Sequence, residues 1–219
     1  MKIRDFFEKG YYINLDRRPD RRESFEEEVK RVGLEGFFER VSAEDSINEK
    51  DPIKKHNYCG LSYKKLLSRI YEEGYERVLI LEDDMYFYDG GETSGLELVE
   101  RALDQIEQFP DWELLYFGGY PFGLINLVSE NLGRCDAILT THAIGYTRKG
   151  IEKVLPYEPF KDCAIDGWLG CRPEIIKYLV YPLAVPQTTS PSDLDAWGNS
   201  PGVLNFLARY KEVDKKKSY

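Results

Sequence analysis

Two rhythms of apolar residues alternate along this chain. Short apolar runs stand at residues 11–15 (YYINL), 77–81, 112–119 (WELLYFGG), 143–147 (AIGYT) and 178–185 (YLVYPLAV). Each has the length and the β-branched or aromatic content of a buried strand. Between them, apolar residues recur every three to four positions. The spacing predicts a charged helix from Pro19 to about Val32, with Pro19 in its first turn and Gly33 at its end. A second helix over 58–75 carries Leu66, Leu67, Ile70 and Tyr71 on one face and closes near Gly74. A third over 94–109 stops before Pro110, and a short one at 148–155 stops before Pro156. Residues 37–46 (FFERVSAEDS) read as a short strand and a polar loop. The proline-rich remainder holds one last short helix at 202–210. Strands alternating with helices predict an α/β sheet covered on both faces, within one domain over 1–210 and a frayed basic tail over 211–219.

In such sheets ligands bind at the carboxyl ends of strands. The most apolar strand, Val78 to Leu81, runs straight into Glu82, Asp83 and Asp84. Like charges this close repel, and a solvated acidic turn is one reading. In an extended segment Glu82 and Asp84 would share a face and Asp83 would take the other. A divalent cation between Glu82 and Asp84 relieves the repulsion, and oxygen-only ligands favour Mg²⁺ or Mn²⁺, which in turn can hold a diphosphate. A second cluster, INLDRRPDRR at 13–22, places Asn14 and Asp16 just past a strand and crowds Arg17, Arg18, Arg21 and Arg22 into the next turn. Glutamates at helical spacing account for Arg22. Arg17 precedes the helix, where it suits a phosphate or a base.

Bulk properties narrow the function. The 219 residues carry a net charge of −9, which argues against nucleic-acid binding by general electrostatics. No apolar stretch is long enough for a membrane span, and the first residues lack an apolar signal core. Cys59, Cys135, Cys163 and Cys171 form no CxxC pair, so reduced thiols in a cytosolic protein are expected. The 16 tyrosines suit a tyrosine-rich core or a sugar-facing cleft.

Taken in order, YYINLDRRPDRR, FFERVSAEDS, YCGLSYKKLL, VLILEDDMYF, DWELLYFGG, AIGYTRKGIEKVL and SPSDL resemble glycosyltransferase family 25 over residues 10–195. That family includes bacterial lipooligosaccharide galactosyltransferases and procollagen galactosyltransferases. The resemblance implies a GT-A fold, a Rossmann-like mixed sheet with helices on both faces. It implies a UDP-sugar donor, usually UDP-galactose, a Mn²⁺-type metal, and inverting transfer to a glycan or hydroxylysine-type acceptor. Glu82, Asp83 and Asp84 would be the metal motif, with Glu82 and Asp84 as ligands and Asp83 toward the donor. Asn14, Asp16 and Arg17 would line the uridine pocket, with Ala43 and Asp45 near the base or ribose. Ser62 would lie close by, and here the motif departs, because Tyr63 stands where relatives often have His. Compared with the animal enzymes the chain lacks extra domains and a secretory signal, which favours a cytoplasmic bacterial or viral transferase.

Single-displacement chemistry needs a base at a third place. Asp166, in CAIDGWLG beside Trp168, is the first candidate and Asp193, in SPSDL, the second; either residue also suits a turn or helix cap. His142 is a metal ligand or phosphate contact, or else a satisfied half-buried histidine. A glucose-transferring relative and a sugar-binding protein without transfer are the alternatives. A nucleotidyltransferase would need a glycine-rich phosphate loop, which is missing.

Overall fold

The computed structural model describes residues 1–122, 124–188 and 193, the side chains of Pro52 and Ile53 excepted; the last helix and basic tail expected over 202–219 lie outside the described residues. The chain opens with a short helix α1 (Ile3–Phe6), then β1 (Lys9–Asn14), α2 (Pro19–Arg31), β2 (Phe38–Ser42), α3 (Pro52–Glu73), β3 (Arg77–Glu82), α4 (Gly95–Ile106) and β4 (Leu114–Tyr116). Small strands β5 (Tyr120–Pro121), β6 (Asn126–Leu127), β7 (Leu132–Arg134) and β8 (Ile138–Leu139) follow. The described part ends with β9 (Ala143–Thr147), α5 (Arg148–Val154), α6 (Ile165–Gly170) and β10 (Lys177–Val180).

Eight strands form one mixed sheet in the order β2-β1-β3-β9-β4-β10-β7-β6. β1 pairs in parallel with β2 and β3, and β4 with β10. β9 lies antiparallel between β3 and β4. This is the predicted architecture, a Rossmann-like mixed sheet with helices on both faces. Period-two alternation sends Tyr12, Leu79 and Leu81 to one face, under α1, α2 and α4, where Phe25, Val99 and Leu103 are buried. Tyr11, Val78 and Ile80 go to the other, under α3, α5 and α6, where Tyr63, Leu67, Ile151 and Leu169 are buried. All four residues from Val78 to Leu81 are 0% exposed, and each such side chain contributes about 1.5–3 kcal/mol of burial.

Local chemistry sets the helix boundaries. Ser94 and Glu97 make a reciprocal capping box on α4, and Thr147 caps α5 through Gly150 N–H. Gly33 and Gly74 follow α2 and α3 at φ of 73° and 85°, a conformation that costs other residues strain. α3 begins six residues before the predicted start at 58, since Pro52 suits a first turn and nothing between them breaks the helix. The sequence reading left out α1, α6 and the strands β5 to β8. All are short, and pairing rather than periodicity sustains them.

Past β4 the chain passes Gly118, where an added Cβ would lie 1.7 Å from the Val185 carbonyl oxygen and 2.5 Å from His142 Nε2. Neither atom belongs to a flexible chain end. Gly118→Ala is expected to destabilise the protein by about 1–3 kcal/mol, the usual cost of overpacking. A urea titration that shows no change of midpoint would mean this packing is looser than described.

Candidate active site

The carboxyl ends of β1, β2, β3 and β4 share one edge of the sheet, joined there by the amino end of β9. The chain leaves β1 toward β2 on one side and returns as β3 on the other, so the gap beyond β1 and β3 is a topological switch point. A cleft of about 160 Å³ opens at this edge, and Ala43, Cys59, Ser62, Glu82, Asp83, Asp84, Gln187 and Asp193 are among its walls.

The acidic triplet forms the floor. β3 ends at Glu82 and the chain turns, so the segment is not extended as the i, i+2 reading assumed; Met85 N–H closes back on the Glu82 carbonyl at 3.4 Å. The three carboxylates consequently meet different partners. Glu82 Oε1 takes a 2.7 Å bond from Thr141 Oγ1 and lies 2.9 Å from the Tyr63 hydroxyl, whose single proton is shared with the Thr141 carbonyl at 2.7 Å. Asp83 Oδ2 accepts from Asn14 Nδ2 at 2.7 Å, and its Oδ1 lies 3.1 Å from Arg21 Nη1. Asp84 lies 3.5 Å from the same Arg21 nitrogen and accepts from Gln187 Nε2 at 3.3 Å.

Burial dominates the electrostatics. It drives the Glu82 carboxyl up to about 7, with the Asp84 charge adding to the rise and the bonds from Thr141 and Tyr63 opposing it. Burial also raises Asp83 and Asp84 above the usual carboxylate range, against Asn14 and Arg21 in the first case and Arg21 and Gln187 in the second.

A ring of arginines and carboxylates surrounds the floor. Arg40 on β2 donates to Asn14 Oδ1 at 2.9 Å and to Asp16 at 2.5 Å, which fixes the Asn14 amide with its NH₂ toward Asp83. Ser42 also bonds Asp16, at 2.7 Å. Arg17 links Asp45 at 2.8 Å to Asp193 at 2.6 Å. Ser62 Oγ accepts from Glu44 N–H at 2.8 Å, which ties the loop after β2 to α3. Of the residues named from sequence, Ala43, Ser62, Glu82, Asp83, Asp84 and Asp193 line the cleft. Asn14 is buried beside it, and Asp16, Arg17 and Asp45 belong to the surrounding ion pairs.

Two expectations change. His142 is buried, with Nε2–H donating to the Val185 carbonyl at 2.8 Å and Nδ1 accepting from Thr140 Oγ1 at 3.0 Å. Both nitrogens are taken and burial lowers the ring to about 4, so it is a neutral structural histidine rather than a metal ligand. Asp193 is not a free base: Arg17 and Arg18 both bond its carboxylate, and they outweigh burial in holding it below the ordinary range. Asp166, half-buried on α6, keeps its candidacy: Oδ2 accepts from Thr140 N–H at 3.2 Å and Oδ1 from Gly167 N–H at 2.7 Å. Arg21, Arg40, Tyr63, Thr141 and Gln187 join the site without a sequence signal strong enough to rank them. Tyr63, the departure from the family motif, is fully buried and buttresses Glu82.

Because folding raises the Glu82 pKa from 4.5 to about 7, the folded chain binds this proton more tightly than the unfolded one. The stabilisation is complete below about 4.5 and is lost as pH rises through about 7. The ligand-free protein should therefore melt lower at pH 8 than at pH 5.5. Glu82→Gln should flatten that slope and raise stability at pH 8 by on the order of 3–4 kcal/mol, at about 1.4 kcal/mol per unit. Parallel slopes for the two proteins in a pH series of melts would refute the burial of this charge.

Comparisons with known proteins agree with this picture. No family-wide sequence profile matches the chain. A glycosyltransferase 25 family member of Aedes aegypti is 30% identical over 128 residues, which is 49% of this chain and 20% of that protein. A glycosyltransferase 25 family member of Drosophila pseudoobscura pseudoobscura is 28% identical over the same shares. The matched segment thus spans about a fifth of the length of these relatives. Among solved structures, A197 from STIV superposes with a TM-score of 0.50 at 9% identity, covering 84% of this chain and 86% of that one, a likeness of fold alone. Over about half its length this chain is similar to members of the glycosyltransferase 25 family.

Proposed function

We propose that the chain transfers a hexose, with galactose favoured over glucose, from a UDP-sugar to a hydroxyl of a glycan or protein acceptor, in a metal-dependent inverting reaction. One observation carries the reading: a largely buried acidic triplet at the switch point of the sheet, short of positive charge. Arg17, Arg18, Arg21 and Arg40 face Asp16, Asp20, Asp45, Glu82, Asp83, Asp84 and Asp193. An excess of carboxylates repels a diphosphate unless a cation enters with it.

The donor set fits such an ion in part. Among the described residues no group of three or more His, Cys, Asp or Glu side chains is arranged to hold a metal alone. Mg²⁺ and similar ions commonly bind through one or two carboxylates and take their remaining ligands from substrate phosphates and water. Glu82 and Asp84 are the pair that would hold it, since the hydrogen bonds to Glu82 fall on Oε1 and leave Oε2 for another ligand. Bound there, the ion would neutralise charge on the departing diphosphate.

The protein's own groups supply the rest. Asn14, set by Arg40, holds Asp83 in place, while Ala43 and Ser62 shape the wall for the nucleoside. Asp166 is proposed as the base that takes the acceptor proton. Two backbone N–H groups fix its orientation, and each carboxylate oxygen retains acceptor capacity. Two neighbouring features support that choice. Thr140, which Asp166 holds, precedes Thr141, the partner of Glu82, and Cys59 in the cleft wall feels the charges of Glu82, Asp166 and Asp84 together.

Hydrolysis of a panel of UDP-sugars in Mn²⁺ tests the donor without an acceptor; no turnover of any of them would sink the reading. Mn²⁺ with UDP at 100 times its dissociation constant should add about 2.7 kcal/mol, or roughly 5–10 °C of melting temperature. Asp84→Asn should melt no lower than the parent without ligand, and should lose this shift and the activity together. Retention of the shift in that variant would remove Asp84 from the metal site.

Asp166→Asn should bind UDP as tightly as the parent and transfer at least about 10²-fold more slowly. Full activity of this variant on a working acceptor would place the base elsewhere.

A further inference from the structure

The amino end of α2 is an unusual place for positive charge. A helix amino terminus carries unpaired N–H groups and a positive dipole end, and it favours acids. Here the N-cap is Arg18, which makes no side-chain cap bond. Arg17 precedes it and Arg21 lies in the first turn. Asp20 answers locally, at 2.7 Å from Arg18. The other shared counter-anion comes from far along the chain. Asp193 lies 2.6 Å from Arg17 Nη1, is bonded to Arg18 Nη1, and stands 4.0 Å from Arg21 Nη1.

These contacts converge on one point. Only 15% of the Asp193 side chain is exposed, and both of its oxygens are taken by arginines. It lies at the cleft wall together with the acidic triplet. Two or three guanidiniums at a helix amino end whose N-cap residue makes no cap bond are suited to an oxyanion with more than two oxygens, since each fork binds a pair of phosphate oxygens as readily as a carboxylate. Arg21 joins this cluster to the floor, because the same Nη1 that approaches Asp193 is within 3.1 Å of Asp83 and 3.5 Å of Asp84. An anion in the place of the Asp193 carboxylate would therefore sit beside the carboxylates that the proposed cation would bridge.

We propose that Arg17, Arg18 and Arg21, with the amino end of α2, form a subsite for the diphosphate of a nucleoside diphosphate, and that Asp193 occupies it as an internal competing anion. The ligand class rests on the donor reading above; the competition rests on the ion pairs alone. Binding of a diphosphate requires Asp193 to surrender Arg17 and Arg18, so the measured affinity is lower than the subsite's own by the fraction of molecules in which Asp193 has let go. Asp193 thus sets the donor affinity, and its loss tightens binding. A catalytic base at this position would behave in the opposite way, losing transfer with no gain in binding.

Calorimetry with three probes distinguishes these cases: inorganic diphosphate, UDP and uridine, each at a fixed excess of Mg²⁺. Asp193→Asn should bind inorganic diphosphate and UDP about tenfold or more tightly than the parent, and uridine equally. Adding Arg18→Gln to that variant should abolish the gain. Unchanged or weaker diphosphate binding by a folded Asp193→Asn protein overturns the proposal. If Asp193→Asn does not fold, Arg18→Gln in the parent chain decides, because it must weaken inorganic diphosphate binding by about tenfold or more, and equal binding overturns the proposal. The two readings fail separately. Tighter diphosphate binding without preference for UDP keeps the subsite and removes the UDP donor, whereas UDP-sugar turnover with diphosphate binding insensitive to Asp193 keeps the donor and removes the subsite.

Discussion

Mutual repulsion of carboxylates at the end of β3 is the constraint around which this edge of the molecule is built. Glu82, Asp83 and Asp84 are anchored by a strand whose four central residues are fully buried, so they cannot separate by more than a turn allows. Each finds a different counterpart. Tyr63 and Thr141 bond Glu82, Asn14 and Arg21 meet Asp83, and Arg21 with Gln187 meets Asp84. The compensation is incomplete, since all three carboxyls hold their protons more tightly than free ones do. Such charges cost the fold stability, and groups perturbed in this way cluster at functional sites.

Topology makes those counterparts available. The parallel pairing of β1 with β2 and β3 brings Asn14, Ser42 and Glu82 to one level. The antiparallel insertion of β9 delivers Thr141 and His142 to the same edge, where Glu82 N–H bonds the His142 carbonyl at 2.8 Å. Behind them His142 joins Val185, and Asp166 on α6 holds Thr140. Thr140 has a φ of 68°, which a residue other than glycine adopts only under constraint from its surroundings. The loop before β9 is thus braced from both sides, and Glu82 takes its orientation from that brace.

Arginines perform two kinds of task around this floor. Arg40 is a positioning group, acting on Asp83 only through Asn14. Arg17, Arg18 and Arg21 gather at a helix end that repels them and share Asp193 between them. Arg22, one residue further on, pairs with Glu26 at 2.8 Å along the exposed face of α2, as its helical spacing indicated. Neighbouring residues of one type therefore differ in role by which side of the helix they occupy.

By itself the sequence determined the strands around Tyr12 and Leu79, the helices α2 to α5, and the acidic triplet at a strand end. Those features rest on local rules: apolar period, proline and glycine punctuation, and charge adjacency. Short-range rules could not reach α6 or β5 to β8, which persist through contacts distant in sequence. They also misjudged two side chains whose partners lie far along the chain: His142 with Val185, and Asp193 with Arg17 and Arg18. Tyr63 appeared only as a missing histidine, and its bond to Glu82 spans 19 residues. The sequence settled which carboxylates stand together, because a strand fixes its own end. Tertiary structure alone decided how each is neutralised, because that depends on which distant polar atom the folded sheet brings within about 3 Å.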